Sequence, residues 1–313
     1  MIDPRDSFVA AIDLSSARVE HFPGLIFFCG GPIESEAMAG SLRDYFLRWL
    51  GVNDEAMASR VVIAEKINHW MKDDTYKELF TLEQHVAELA STIVIFLESP
   101  GAIAELGAFS ALGGVQDKLL VFVREDHYKA DSFIRLGPID FLQGRDQQSV
   151  AVYPWRITSD QGIDRLDEPS VAECVAEMHK NLMGAAGRVS RLFVPSEARD
   201  RMLLIADLVG HMVALTKAEI DTYVAQLGIT IEAADMKKYL FVLEKLGLIR
   251  QVTRGHSRYY VASNEGQTYL RWQYRDGADS YDRLRLNFAV SEFYKAKDQQ
   301  RSKAVARALA GLT

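Results

Sequence analysis

Apolar and polar residues along the first half of the chain follow a pattern typical of strands that alternate with helices. Short apolar runs predict buried strands at 25–29, 60–64, 93–97, 118–123 and 150–153. Helical spacing of apolar residues predicts helices at 34–50, 66–91 and 102–112. Because this alternation favours parallel pairing of the strands, we predict an α/β fold with a doubly wound parallel sheet.

A long connection, 124–149, separates the last two predicted strands. Connections of this length in compact α/β domains are often lids or parts of a binding site. Ser132 and Phe133 are therefore candidates to close over a ligand, although the segment fits a simple surface excursion equally well.

The pattern after residue 201 is mainly helical and then β-like. Thr216 and Glu219 form a capping-box pattern at the start of one helix, and Gly247 ends a second helix. Two short β-patterned runs, 248–253 and 258–263, follow. Helix, turn, helix and hairpin, in this order, predict a winged helix-turn-helix.

A last amphipathic helix is predicted at 281–309, which packs either on the winged module or on another subunit. The polar, turn-rich segment 158–170 indicates an edge between domains. We therefore expect a sheet domain at 1–157, a helical connector at 158–200 and a winged-helix domain with the last helix at 201–313.

The composition is that of an ordinary soluble globular protein, with 313 residues, 48% hydrophobic and 25% charged. No apolar run approaches the roughly 20 residues that span a bilayer, and we expect no secretory signal at the N-terminus. Cys29 and Cys174 suit a reducing cytoplasm and are too few for a zinc site. We expect a cytoplasmic protein that needs no metal and no membrane.

The charge is divided unevenly along the chain. Residues 236–313 contain 15 Lys and Arg against 7 Asp and Glu, in a chain whose net charge is −7. The excess indicates either an anionic partner or a solvated helical tail, and winged helices also serve as protein-binding modules. The candidate nucleic-acid contacts are Lys237, Lys238 and Lys245 on the second helix and Arg250, Arg254, His256 and Arg258 on the wing.

The segment 93–111 carries the strongest indication of chemistry. A buried strand ends in Glu98, Ser99, Pro100 and Gly101, and a helix predicted to start near 102 places Glu105 in its first turn. Ligands of open α/β sheets bind at the carboxyl ends of strands, so Glu105 is a candidate to face a substrate. Glu105 could equally be a solvated residue that the helix dipole favours.

Four stretches of sequence together resemble a known family: FFCGGPI at 27–33, ESPGAIAELGAFSA at 98–111, SFIRLGPIDFL at 132–142 and YDRLRLNF at 281–288. The resemblance is to the nucleoside deoxyribosyltransferase-like effectors encoded with bacterial retrons, over about residues 25–290. It implies an antiphage toxin restrained by a reverse transcriptase and its branched RNA–DNA product, msDNA, which the winged domain would contact. It also implies self-association.

The resemblance assigns the carboxylate nucleophile to Glu105. Where such transferases carry an aspartate six residues earlier, this chain has Ser99, beside Glu98. Glu98 and Glu83 are candidates to bind ribose hydroxyls or position water, although Glu83 fits a solvated helix residue equally well. The candidate substrate contacts are Cys29, Gly30, Gly31, Glu65, Ser99, Gly101, Ser132 and Phe133. Cys29 also fits a small packed residue.

The expected reaction is cleavage of an N-glycosidic bond, whose transition state carries positive charge that a carboxylate stabilises. NAD is the expected substrate, because its nicotinamide leaves as a neutral group without a strong general acid. We expect no cofactor. Two alternatives stay open: transfer or hydrolysis on nucleosides or nucleoside monophosphates, and a nucleotide-sensing regulator that binds a promoter.

Overall fold

The computed structural model describes residues 2–20, 24–34, 38–160, 163–185, 190–264 and 266–311. The strands, in chain order, are β1 (Arg18–Val19), β2 (Ile26–Cys29), β3 (Val61–Ile63), β4 (Thr92–Leu97), β5 (Leu119–Arg124), β6 (Val150–Tyr153), β7 (Ile157–Asp160), β8 (Ile163–Leu166), β9 (Arg191–Leu192), β10 (Ile249–Arg254), β11 (Ser257–Ala262) and β12 (Leu270–Arg271).

The helices, in chain order, are α1 (Pro4–Ala11), α2 (Leu42–Asn53), α3 (Glu55–Ala58), α4 (Ala64–Trp70), α5 (Leu79–Leu89), α6 (Pro100–Ser110), α7 (Glu125–Lys129), α8 (Asp140–Arg145), α9 (Glu168–Ala172), α10 (Val175–Gly184), α11 (Ala198–His211), α12 (Lys217–Gln226), α13 (Ala233–Lys245), α14 (Arg283–Lys297) and α15 (Gln299–Ala310). No helix in these described ranges is long and apolar enough to cross a membrane.

The chain folds into two compact units. The sheet unit consists of Gly24–Lys72 and Glu78–Gly187, and the helix unit consists of Met1–Pro23, Asp73–Lys77 and Arg188–Thr313. The helix unit thus includes the N-terminal residues and a short internal segment, whereas the sequence suggested three consecutive parts.

The sheet unit is built on a five-stranded parallel sheet with the strand order β3-β2-β4-β5-β6, which confirms the predicted parallel α/β sheet. Every residue of β2 and β4 is buried, as strands covered on both faces require. Aromatic rings from neighbouring strands fill the core: Phe96 lies 5.2 Å from Phe28 and 5.4 Å from Phe122 between ring centroids. The doubly wound arrangement of its helices stays a prediction.

Two predicted helices begin elsewhere than expected. The helix predicted at 34–50 begins at Leu42, where the Ser41 side chain accepts a hydrogen bond from the Asp44 N–H as the N-cap. The helix predicted from 102 begins at Pro100, because Ser99 is the N-cap and Pro fits the first helical position. Glu105 therefore lies in the second turn of α6, beyond the unpaired N–H groups that favour first-turn acids.

The helix predicted at 66–91 is two helices, α4 and α5. The chain leaves helical geometry after residue 73, and Asp74 adopts a left-handed conformation with φ of 55°. The segment that joins the two helices contains Asp73–Lys77, which belongs to the helix unit. The prediction failed here because no glycine or proline marks the break, although residues 72–78 are polar apart from Tyr76.

The regions expected to be irregular contain regular structure. The long connection 124–149 holds α7, a π-helical turn at Arg135–Ile139 and α8. The turn-rich segment after residue 157 begins with an antiparallel hairpin, β7 and β8, before α9 and α10. Gly137 and Pro138 in the first segment, and the polar, turn-rich composition of the second, hid these elements from a reading of the sequence.

In the helix unit, α11, α12 and α13 precede an antiparallel hairpin, β10–β11, in the predicted order. We call these five elements the helix–hairpin module. The Thr216–Glu219 capping box is present at α12, and Gly247 follows α13 with φ of +71°. The last predicted helix is broken at Asp298 into α14 and α15, and α15 packs on the hairpin.

Candidate active site

The carboxyl ends of β2 and β4 lie side by side where the strand order of the sheet reverses. From β2 the chain moves to β3 on one side, and then to β4, β5 and β6 on the other. Open α/β sheets bind ligands at such a reversal. Gly30 and Gly31 follow β2 there, and Glu98 and Ser99 follow β4.

Glu98 is held by three backbone N–H groups. Its Oε1 accepts hydrogen bonds from Gly31 and Arg43, each at 3.0 Å, and its Oε2 accepts one from Leu42 at 2.7 Å. Leu42 and Arg43 begin α2, so the carboxylate occupies the N-terminus of that helix. Burial raises the pKa of Glu98, and these N–H groups oppose the rise. The contacts favour a positioning role.

Ser99 and the two glycines hold the loops in contact. Ser99 Oγ caps α6 by accepting from Ala102 and donates to the Gly30 carbonyl at 3.2 Å. A Cβ on Gly31 would lie 2.6 Å from the Ser41 Cβ, and one on Gly30 would lie 3.0 Å from the Phe96 Cβ. Both glycines are therefore required by close packing at the end of β2.

Arg43 is a central residue of the site that sequence reasoning missed. Its guanidinium is almost fully buried, forms an ion pair with Glu65 and donates to the Phe28 carbonyl. Arg43 Nε and Glu65 Oε2 are both buried without a hydrogen-bond partner among the described residues. A helix pattern alone marks position 43 as a polar surface residue, so only the three-dimensional structure reveals it.

Glu105 lies within this cluster. The Cys29 side chain interacts with the Glu105 carboxylate and lowers the pKa of Glu105, and Cys29 is completely buried. Burial, then repulsion from Glu105 and Glu83, raises the pKa of the Cys29 thiol well above its ordinary value. Cys29 therefore remains a neutral thiol and is not a nucleophile.

Glu83, on α5, is the second carboxyl near Glu105. Burial raises the pKa of Glu83 from 4.5 to about 7. Burial and the charge of Glu83 raise the pKa of Glu105 to about 7 as well, while Arg43 opposes this rise. Near neutral pH the pair shares protonated and ionised forms, which is the arrangement that acid–base and nucleophilic catalysis require.

We name these residues the carboxylate cluster: Cys29, Arg43, Glu65, Glu83, Glu98 and Glu105. A cavity of about 800 Å³ opens beside it at the carboxyl ends of β4, β5 and β6. Among the described residues that line this cavity, Glu98 is the one that belongs to the cluster, and Arg124 and Trp155 form other parts of the wall. This volume is in the range of small-molecule sites.

Of the predicted substrate contacts, Cys29 and Glu65 belong to the cluster, and Gly30, Gly31 and Ser99 form the packed loops beside it. The other three, Gly101, Ser132 and Phe133, have neither role. A Cβ on Gly101 would meet only the Ser99 hydroxyl, at 3.8 Å. Ser132 Oγ accepts from the Arg135 N–H and caps a helical turn, and Phe133 is 85% exposed. Phe133 lines a groove with Gly107, which lies on a different face of α6 from Glu105.

The predicted nucleic-acid contacts fall into two groups within the helix unit. Lys238 pairs with Asp235, Lys245 pairs with Asp73, and Arg250 donates to the Ala308 carbonyl of α15. The other group consists of Lys237, Arg254, His256 and Arg258, which have no ion-pair partner in the part of the chain that the structure describes.

Comparison with known proteins identifies the family to which the chain belongs. A family model described as "STM3845 retron effector protein" matches residues 39–251. "Retron Ec86 putative ribosyltransferase/DNA-binding protein" of Escherichia coli is 30% identical over 113 residues, 36% of each chain. "Retron Ec73 putative ribosyltransferase/DNA-binding protein" of Escherichia coli is 32% identical over 89 residues, 28% of each chain. The chain thus spans about a third of the length of the curated relatives that it matches.

Proposed function

Because the chain belongs to the STM3845 retron effector family, we propose that it is an antiphage effector that cleaves an N-glycosidic bond, with NAD as its substrate. The relatives named above are described as ribosyltransferases, a class that breaks bonds at the anomeric carbon of ribose. The sheet unit, with a nucleoside deoxyribosyltransferase-like site, carries out this reaction.

The observation that carries the proposal is the pair of partly buried carboxyls, Glu105 and Glu83, each with a pKa of about 7, beside the strand-order reversal. Acids with perturbed pKa values, close to the strand ends where open α/β sheets bind ligands, are typical of catalytic sites. Arg43 supplies positive charge that favours the ionised form of Glu105.

In the first step the ionised Glu105 attacks C1′ of the nicotinamide ribose. The bond from C1′ to the pyridinium nitrogen breaks, its electron pair neutralises that nitrogen, and neutral nicotinamide leaves. The carboxylate stabilises the oxocarbenium-like charge and then forms a glycosyl-enzyme. Arg43 and the neutral Cys29 thiol favour the ionised form of Glu105 in this step, because both lower its pKa.

In the second step water replaces Glu105 at C1′. Ionised Glu83 takes a proton from the water, whose oxygen bonds to C1′ while the bond to Glu105 breaks. ADP-ribose is released, and Glu105 returns as a carboxylate. Glu98 keeps the end of β2 and the start of α2 in place without entering the chemistry, because both of its carboxylate oxygens accept hydrogen bonds from backbone N–H groups.

The same site supports a second reaction, hydrolysis or transfer on nucleosides and nucleoside monophosphates. A neutral nucleobase needs a proton to leave, and protonated Glu83 is a suitable general acid. This alternative differs from the first in that Glu83 must act before the bond breaks.

We further propose that the helix–hairpin module is a winged helix that binds the retron msDNA, through which a reverse transcriptase restrains the effector. The DNA-binding part of the relatives' names and the unpaired basic side chains of the hairpin support this role. A nucleotide-sensing regulator without catalytic activity is the alternative from another class. It predicts harmless over-expression and a footprint on a duplex operator.

The catalytic proposal is tested by incubating purified protein, freed of its partners, with NAD and measuring released nicotinamide by chromatography. Glu105→Gln is expected to lower the rate by at least about 10³-fold, since removing a nucleophile abolishes the covalent step. Glu55→Gln, at an exposed position of α3, is the matched control and should retain full activity.

A panel of nucleosides and nucleoside monophosphates, assayed in parallel, separates the two reactions. Release of free base from these compounds, without nicotinamide from NAD, would establish the second reaction. Full activity of Glu105→Gln on every substrate would remove Glu105 from the mechanism.

A further inference from the structure

The segment Asp73–Lys77 of the helix unit lies on one face of α13. Asp73 Oδ2 pairs with Lys245 Nζ at 2.6 Å. The Tyr76 hydroxyl donates to the Lys238 carbonyl at 3.2 Å, and the Tyr76 ring lies 5.9 Å from the Phe241 ring between centroids. Tyr76 is 2% exposed, which is unusual for a side chain on a five-residue segment.

The contacts on α13 form one continuous stripe. The two side chains contacted, Phe241 and Lys245, are four residues apart and share a helix face. The third contact, at position 238, is to the main-chain carbonyl of the same helix. Lys245 Nζ also lies 5.2 Å from the centre of the Phe241 ring. The stripe therefore combines a cation, Lys245, with an aromatic ring, Phe241. The segment places the Asp73 carboxylate against the cation and the Tyr76 ring beside the aromatic ring.

One nucleotide of a single strand presents a negative charge, on its phosphate, and an aromatic ring, its base. Asp73 and Tyr76 present the same two features, a negative charge and an aromatic ring. Single-stranded nucleic acid binds to proteins through such basic and aromatic pairs. In a duplex the bases are stacked inside and are not available to Phe241. Asp73 and Tyr76 thus occupy this stripe in the way that an unpaired nucleotide would.

We propose that the α13 stripe is a binding surface for single-stranded nucleic acid, and that Asp73–Lys77 is an intrachain competitor that covers it. Binding of the nucleic acid displaces the segment from α13. The inference goes beyond the winged-helix role proposed above because it assigns the strand type and the competitor. It does not require that NAD be the substrate.

The segment also has a covalent connection to the carboxylate cluster. It joins α4, which carries Glu65, to α5, which carries Glu83. Displacing it changes the constraint on the ends of two helices that hold catalytic candidates. Occupancy of the α13 stripe is therefore linked to the activity of the sheet unit, and by thermodynamic reciprocity substrate would alter nucleic-acid affinity.

The test compares the wild-type chain with the double variant Asp73→Asn/Tyr76→Phe, which removes the ion pair and the tyrosine hydrogen bond while keeping size and shape. The probe is a fluorescein-labelled DNA hairpin with a single-stranded tail, followed by fluorescence anisotropy. Affinity for the tailed hairpin is expected to rise on the order of ten-fold, because an exposed ion pair and one hydrogen bond no longer compete.

Asp74→Asn is the matched control. It makes the same charge change one residue away, asparagine tolerates the left-handed conformation of position 74, and its affinity should equal that of the wild type. A blunt duplex should bind all three proteins alike. Amide hydrogen exchange in 73–77 should accelerate when the tailed hairpin is added to wild-type protein.

Three results would overturn the inference. The double variant would bind the tailed hairpin no better than the wild type if the segment did not compete. It would bind more weakly if the segment were part of the nucleic-acid surface. Absence of binding to any DNA by all three proteins would make the stripe a protein contact. Because anisotropy does not depend on catalysis, these outcomes are separate from failure of the glycosidase proposal.

Discussion

At the scale of single residues, the carboxylate cluster concentrates acidic groups where burial disfavours their charge. The fold raises the pKa of Glu83 and Glu105 from 4.5 to about 7. Between these values the unfolded chain has released protons that the folded chain retains. The stabilising contribution of these two protonated carboxyls is therefore fully present below about pH 4.5 and is lost as the pH rises through 7.

Ionising these carboxyls above pH 7 costs folding free energy, so removing either ionisable group should stabilise the protein at alkaline pH. Glu83→Gln and Glu105→Gln should each increase the free energy of unfolding on the order of 1 to 3 kcal/mol at about pH 8, and leave it nearly unchanged at about pH 4. Urea titrations at the two pH values measure the difference. Glu55→Gln should show no such dependence, and an equal gain for it would contradict the assignment.

The sequence predicted Glu105, Glu98, Glu83, Glu65 and Cys29 as residues of one site. Glu98, Glu65 and Cys29 were predicted from strand ends, Glu105 from the helix after a strand and from the family resemblance, and Glu83 from the reaction. The sequence did not identify Arg43. The reason is physical: Arg43 enters the site by docking α2 through its N-terminus on Glu98, a contact between residues 55 positions apart. No local periodicity reports such a contact.

At the scale of elements, the end of β2 and the start of α2 form one tightly packed unit around Gly31. Gly31→Ala would place a Cβ 2.6 Å from the Ser41 Cβ and 3.1 Å from the Glu98 carboxyl carbon. Because neither atom is the free end of a flexible chain, we expect a loss of about 1–3 kcal/mol in unfolding free energy.

Gly107→Ala is the matched control for that measurement. Gly107 lies within α6, and a Cβ there would meet nothing within 4 Å. Alanine should therefore stabilise the helix by roughly 0.5–1 kcal/mol. Denaturant midpoints of both variants give the comparison, and equal effects of the two substitutions would contradict the packing argument.

The same elements show which boundaries a sequence can give. The strands of the five-stranded sheet were predicted within a few residues because buried β-branched and aromatic runs leave little choice of position, whereas the short strands β1, β7, β8, β9 and β12 were not predicted. The break between α4 and α5 was missed because the segment there is stabilised by Tyr76 packing on α13, far away in sequence. Helix starts were misplaced wherever a serine cap, at Ser41 or Ser99, fixed the first turn.

At the scale of the whole molecule, part of the basic excess of the carboxyl-terminal third is used inside the helix unit. Arg301 pairs with Glu219 and Asp298, Arg250 donates to Ala308, and Lys245 pairs with Asp73. Net charge from the sequence therefore overstates the positive surface. The sequence cannot separate structural from free cations, because that distinction depends on which acids the fold brings near.

The free cations of the hairpin give the last prediction. Arg254 and Arg258 flank the turn between β10 and β11 and have no ion-pair partner within the described residues. If they contact phosphates, each releases about one counterion on binding. Arg254→Gln and Arg258→Gln should then each make the negative slope of the log binding constant against log salt shallower by about 1. Lys129→Gln, on exposed α7 of the sheet unit, should leave the slope unchanged. Anisotropy titrations over a series of salt concentrations measure these slopes, and three equal slopes would exclude the hairpin from the nucleic-acid surface.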